Sequence, residues 1–221
     1  MTVSVKRGVI IWSLFITLLC PELHSEITSE AKALIDFISA EEQQGALLTY
    51  TQSYANAHNE RGFYTGTLYT GIRRFSLDGC KVTVSIVSQN RSTGVISTRK
   101  SFRADRVENT GLLVHDVVLE YRFALDELAE KEIQSFAARP SQLRSGTKFE
   151  CEWNAKCELP WIRLTSTSRA IQIGRKDDGF QYPSTTVTTV ALPMAAGDSA
   201  ARGAKLFKDA VRACGRLDRP E

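Results

Sequence analysis

The residues best suited to acid–base or nucleophilic chemistry are few in this chain. Beyond an N-terminal leader it has two histidines, His58 and His115, and it contains no Gly-x-Ser-x-Gly, no His-Glu-x-x-His and no glycine-rich phosphate loop. His58 stands in a polar loop, and His115 precedes Asp116 in a segment that alternates like a strand. We therefore expect both histidines to be structural, and we predict no catalytic, cofactor-binding or metal-binding residues.

Two other groups of residues are candidates for an acid–base or a ligand-binding site. Neighbouring carboxylates at Glu41 and Glu42 are expected to be solvated, since adjacent helical residues do not face each other. Aromatic residues interleaved with arginines could hold a stacked ligand, although packing within a sheet is the commoner role of strand aromatics. These residues are Phe63, Tyr64, Tyr69, Arg61, Arg73 and Arg74.

Four of the five cysteines lie beyond the leader, and an even number suits disulfides in an oxidising compartment. Cys151 and Cys157 are close enough in sequence for a local bridge. The remaining two cysteines are then expected to pair with each other. Cys80 lies at the start of a predicted strand, and Cys214 lies on the apolar face of the last predicted helix. The spacing is not that of paired zinc knuckles, and no histidine stands near any of the four. We predict the bridges Cys80–Cys214 and Cys151–Cys157.

The N-terminus has the pattern of a secretory signal. Lys6 and Arg7 precede an apolar run that ends at Pro21 and is too short to span a bilayer comfortably. The small residue Ser25 is the preferred cleavage site, which predicts a signal peptide over residues 1–25 and export to the periplasm or the extracellular space. An uncleaved anchor and a lipid at Cys20 are the alternatives.

Composition indicates a globular domain over residues 26–221. Of the 221 residues, 43% are hydrophobic and 24% charged. The formal net charge is +3, and removal of Lys6, Arg7 and Glu22 with the leader lowers it by one. This charge is too small for the basic footprint of a nucleic-acid-binding protein. We expect a protein or small-molecule ligand, no nucleic acid, and no membrane span once the leader is cleaved.

Two helices enclose the rest of the predicted domain. The first runs from Ile27 to Glu42. The last, Ser199 to Cys214, is strongly amphipathic and should cover a sheet as a lid. Gly203 interrupts its apolar arc at a cost in helix propensity, so the backbone should approach its neighbours closely there. Gly215 is expected to end the helix in the left-handed conformation. The apolar arc comprises Ala200, Gly203, Ala204, Leu206, Phe207, Ala210, Val211 and Cys214.

Between the helices the sequence predicts mainly antiparallel strands. Asp78-Gly79 between two alternating runs indicates a hairpin, with Val82, Val84 and Ile86 on its buried face. Residues 89–94 are expected to be a loop, and residues 125–136 a short helix. The remaining predicted strands cover residues 95–104, 117–123, 161–166, 170–175 and 185–192.

Strands flanked by an N-terminal helix and a C-terminal lid helix indicate an α+β domain. The order of strands followed by one C-terminal lid helix resembles the PH-like split barrel. An antiparallel sheet around the first helix, cystatin-like or lipocalin-like, is the alternative. For function, we expect an exported, non-catalytic binding or interaction module. A small secreted hydrolase without a recognisable motif, or an anchored envelope component, would be the alternatives.

Overall fold

A computed structural model of the protein describes residues 28–55, 61–98, 106–140, 148–152, 156–168 and 170–217. The predicted signal peptide and His58 lie outside these residues. The described elements, in chain order, are α1 (Ser29–Glu41), β1 (Ala46–Ala55), β2 (Arg61–Asp78), β3 (Lys81–Thr98), β4 (Arg106–Ala124), a 3-10 turn (Glu130–Glu132), β5 (Gln134–Ala138), β6 (Lys148–Cys151), β7 (Leu159–Thr165), β8 (Ile171–Asp177), β9 (Phe180–Val187), β10 (Thr189–Pro193) and α2 (Gly197–Leu217).

The strands form two antiparallel sheets. The larger has seven strands in the order β6-β1-β2-β3-β4-β8-β9, and the smaller has three in the order β10-β7-β5. The larger sheet does not close into a barrel, because β6 and β9 form its two edges rather than pairing with each other. The predicted α+β class is confirmed. Of the two arrangements expected from the sequence, the open antiparallel sheet is the one found, and the split barrel is not.

The core lies between one face of the large sheet and the elements that cover it. Alternate residues of β3, namely Val82, Val84 and Ile86, are buried together with Leu34 of α1 and Phe207 of α2. α2 packs against α1 and against β5 and β7, and α1 also packs against β2. The predicted lid is therefore present. It lies over the small sheet and α1, and its Phe207 ring also meets Phe75 of β2 in the large sheet, with ring centroids 6.4 Å apart.

The ends of the two helices agree with the sequence at Thr28 and differ from the predictions at Glu41 and Gly215. Thr28 caps α1, its hydroxyl accepting a hydrogen bond from the Ala31 N–H at 3.2 Å. Glu41 is not solvated as expected: it is only 5% exposed, and its Oε2 accepts the Ala195 N–H at 2.9 Å. This bond ties the end of α1 to the segment that leads into α2. Gly215 does not end α2, which continues to Leu217 without a left-handed residue at position 215.

Gly203 lies where the backbone of α2 comes close to its neighbours, as predicted. A Cβ at this position would stand 2.5 Å from Cδ1 of Ile162 in β7 and 2.8 Å from the ring of Phe37 in α1. Glycine is therefore required here by packing, not by backbone conformation.

The β2–β3 hairpin is present, but its turn is shifted by one residue. Asp78 pairs with Lys81, so that the two central residues are Gly79 and Cys80 rather than Asp78 and Gly79. Gly79 has φ +56° and Cys80 is not left-handed, as in a type II′ turn. This places Cys80 at the tip of the hairpin, and its carbonyl accepts the Leu125 N–H at 2.8 Å.

The four cysteines stand in the two pairs that the sequence predicts. The Cys80 and Cys214 sulfurs are 2.10 Å apart, with Cα atoms at 5.8 Å, and these residues join the hairpin tip to α2. Cys151 and Cys157 have sulfurs at 2.03 Å and Cα atoms at 5.4 Å. Both Cα separations lie in the range that a disulfide spans.

Three predictions about the segments between the helices are wrong. Residues 89–94 are not a loop, since β3 runs through them and pairs with both β2 and β4. Residues 125–136 are not a helix, because Leu125, Leu128 and Ile133 are all buried in an irregular segment that passes through the 3-10 turn into β5. The predicted strand over residues 185–192 is two strands, β9 and β10, which belong to different sheets.

Candidate binding surface

One edge of the large sheet is formed by the β8–β9 hairpin. Its turn residues Asp178 and Gly179 have φ +44° and +87°, the two positive values that a two-residue type I′ turn requires. Residues 180–186 of β9 are all exposed. The hairpin therefore presents its side chains to solvent along a whole strand.

Large apolar side chains stand on this edge. Phe180 is 66% exposed and Tyr182 42% exposed. Two residues apart in a strand, they point to the same face, and their rings meet edge to face with centroids 5.2 Å apart. Arg175, directly opposite Tyr182 in β8, holds its guanidinium carbon 5.2 Å from the Tyr182 ring centroid. We call Arg175, Phe180 and Tyr182 the aromatic patch.

A titratable group adjoins the aromatic patch. His115 of β4 places Nδ1 2.9 Å from Asp178 Oδ2, and its Nε2 lies 3.3 Å from Asp177 Oδ1. Asp178 also accepts the backbone N–H of Asp116 at 2.9 Å, and the Arg175 guanidinium donates to Asp177. We call His115, Asp177 and Asp178 the His115 cluster. It fixes the turn of the hairpin to β4.

The His115 cluster has the donor types of a divalent-cation site, one imidazole and two carboxylates, with ligand atoms within 4.8 Å of one another. However, the two ring nitrogens face different carboxylates, whereas one ion can use only one of them. The hydrogen bonds from Asp116 and His115 lower the pKa of Asp178, so that its carboxylate is ionised at neutral pH.

The contacts of the two His115 ring nitrogens also bear on whether this histidine could act as a general base. A histidine that acts as a general base needs one nitrogen oriented by a carboxylate and the other directed at a nucleophile. In His115 both nitrogens face carboxylates. Its side chain is 40% exposed and lies on an open sheet edge instead of in a deep pocket.

The sequence did not identify this surface. The aromatic residues that the sequence offers for a stacked ligand lie in β2 instead. Of these, Tyr69 packs over Gly45, and the side chains of Phe63 and Tyr64 lie outside the described residues. The signal that could have found the aromatic patch was present: Asp178-Gly179 is followed by Phe180 and Tyr182, two apolar residues in alternation. His115 lies in a strand, as its alternating segment indicates, but its carboxylate partners Asp177 and Asp178 lie far along the chain in the β8–β9 hairpin.

No protein-family model matches this sequence, and comparisons with curated proteins and with solved structures give no match either. In the part of the chain that the structure describes, neither helix has both the length and the apolar character needed to cross a bilayer.

Proposed function

We propose that the protein is an exported, non-catalytic binding module that recognises its ligand through the aromatic patch. The observation that carries the proposal is the exposure of Phe180 and Tyr182, 66% and 42%, side by side on one face of an edge strand. Exposing two neighbouring large apolar side chains costs solubility, which favours a role for them in an interface. Aromatic residues and arginine are also the types enriched where proteins bind their partners.

The edge itself is poorly suited to recruiting another strand. Pro183 in β9 has no N–H to donate, and β9 carries an extra residue between Tyr182 and Thr185 relative to β8. Both features interrupt the regular row of backbone groups that strand addition requires. Recognition by side chains, with an apolar or aromatic group of the ligand against the rings and Arg175, is the mode that this edge favours.

A rigid support makes the patch suitable for specific recognition. The two hydrogen bonds at Asp178 hold the turn to β4, and Arg175 is fixed between the Asp177 carboxylate and the Tyr182 ring. Side chains that are already fixed lose less conformational entropy on binding. The alternative of a secreted hydrolase gains no comparable support, since the His115 nitrogens face Asp177 and Asp178.

The binding proposal is tested by a double substitution with a matched control. Tagged wild-type protein, Phe180→Ala/Tyr182→Ala and Leu47→Ala are purified from the native compartment, and what co-purifies is identified by mass spectrometry. Leu47 is 67% exposed on β1, and its replacement by alanine removes exposed apolar surface from another part of the large sheet. We expect a ligand or partner retained by the wild type and by Leu47→Ala and reduced at least tenfold with the double variant. Equal retention by all three proteins, or no specific species with any of them, would overturn the proposal.

Export is tested separately. Two cysteine pairs at disulfide distance fit an oxidising compartment. We expect the mature protein to begin at Glu26, as read by N-terminal sequencing, with an intact mass lowered by four hydrogens for two bridges. A mature N-terminus at Met1 would contradict cleavage, and a mass increase from lipid at Cys20 would contradict release.

A further inference from the structure

A cleft separates the large sheet from the small one, away from the aromatic patch. Its volume is ≈ 290 Å³. One wall is formed by β2, β3 and β4, and the other by β5, β7 and β10. The walls are mainly apolar and include Ile86, Leu119, Phe136, Trp161 and Val190.

Tyr121 is one of the polar residues in this cleft. Tyr121 of β4 lines the cleft and is only 7% exposed. Among the described residues, none forms a hydrogen bond with its hydroxyl. Burial raises the pKa of Tyr121 to about 12, so the group is a neutral donor at physiological pH. The Tyr121 hydroxyl is not among the fully buried polar atoms without a partner in the described residues, so it remains open to solvent and to a ligand in the cleft.

We propose that this cleft binds a small, uncharged, largely apolar molecule whose acceptor oxygen takes the hydrogen bond of the Tyr121 hydroxyl. The site is distinct from the aromatic patch and does not depend on the proposed function of that surface. The apolar walls would supply the affinity, and the Tyr121 hydroxyl would supply selectivity for an acceptor, which is the usual division of roles in small-molecule sites.

The dimensions and the charges restrict the ligand further. A dry apolar cavity of about 150 Å³ accommodates benzene, so this cleft suits a ring compound of about ten heavy atoms. The charged residue that lines the cleft is Arg139, whose Nη2 donates to the carbonyl oxygen of Lys156 at 3.2 Å. The other lining residues are uncharged, and a neutral acceptor at Tyr121 leaves the bond between Arg139 and Lys156 in place.

A pair of probes of equal shape separates the apolar contribution from the hydrogen bond. Acetophenone carries a carbonyl oxygen where cumene carries a methyl group. Each is titrated into the full-length mature protein, and the dissociation constant is followed through the indole N–H resonance of Trp161, which lies in the cleft and donates to the Ala138 carbonyl at 3.2 Å. We expect acetophenone to bind more tightly than cumene by about two- to tenfold, the range that a net hydrogen bond supplies.

Three variants complete the test. Tyr121→Phe keeps the ring and removes the hydroxyl, and it should abolish the preference for acetophenone while cumene binds as before. Ala191→Leu fills the cleft and should weaken both probes. Phe180→Ala/Tyr182→Ala should bind both probes as the wild type does, which separates this site from the aromatic patch. The proposal is overturned if the Trp161 resonance does not respond in a folded wild-type protein, or if Tyr121→Phe retains the preference for acetophenone.

Discussion

Gly203 and Gly215 lie in the same helix, and replacing each by alanine should have opposite effects. In a helix, alanine is favoured over glycine by about 1 kcal/mol, since glycine loses more backbone entropy on folding. At Gly215 nothing lies within 4 Å of the new Cβ, so Gly215→Ala should raise the free energy of unfolding by up to about 1 kcal/mol.

At Gly203 the new methyl group has no room. It would meet Cδ1 of Ile162 at 2.5 Å and the ring of Phe37 at 2.8 Å. Ile162 is 0% exposed and Phe37 is buried, so neither side chain has free space into which to move. Overpacking of this kind costs about 1–3 kcal/mol. After the gain in propensity, Gly203→Ala should lower the free energy of unfolding by up to about 2 kcal/mol.

Equilibrium unfolding in urea, followed by circular dichroism, measures both variants against the wild type. Both variants gain a similar helix propensity, so the overpacking at position 203 accounts for the difference between them. Gly203→Ala should therefore be less stable than Gly215→Ala by about 1–3 kcal/mol. Ile162→Val removes the methyl group that the new Cβ would meet. Combined with Gly203→Ala, it should therefore recover part of the loss in a double-mutant cycle. If Gly203→Ala proves as stable as Gly215→Ala, the close packing of α2 on β7 and α1 is refuted.

Two further predictions concern the disulfides and the histidine. Alanine at both Cys80 and Cys214 should cost up to about 5 kcal/mol, against about 2 kcal/mol for Cys151 and Cys157, because the bridges close loops of 134 and 6 residues. Urea unfolding measures which pair of substitutions costs more stability. Hydrogen exchange in the Cys80/Cys214 variant should show α2 opening before the large sheet. Equal losses of stability for the two pairs would contradict the prediction. His115→Ala should lower the free energy of unfolding by less than about 1 kcal/mol, since its contacts with Asp177 and Asp178 are partly solvated. It should leave ligand binding intact, because two hydrogen bonds between Asp116 and Asp178 still hold the turn to β4. Lost binding in a His115→Ala protein with an unchanged circular dichroism spectrum would show that this histidine is functional.

The sequence by itself determined the features that local patterns encode. The 3.6-residue repeat of α2 and its glycine at position 203 were sufficient to place the lid and its point of closest packing. The strand that follows Gly79 alternates with period two, and its buried residues were correctly assigned. The cysteine pairing followed from their positions, since a local pair leaves one arrangement for the remaining two.

Tertiary structure decided what depends on distant partners. Leu125, Leu128 and Ile133 have helix-like spacing, yet each is buried where the chain turns from the large sheet to the small one. Glu41 is held inside by a backbone N–H that lies 154 residues further on. The aromatic patch, the His115 cluster and the hydroxyl of Tyr121 arise only when β4 is aligned with β8 and the small sheet is packed over the large one. Short-range periodicity carries no information about that alignment, because strand register and sheet packing are set by contacts between residues far apart in sequence.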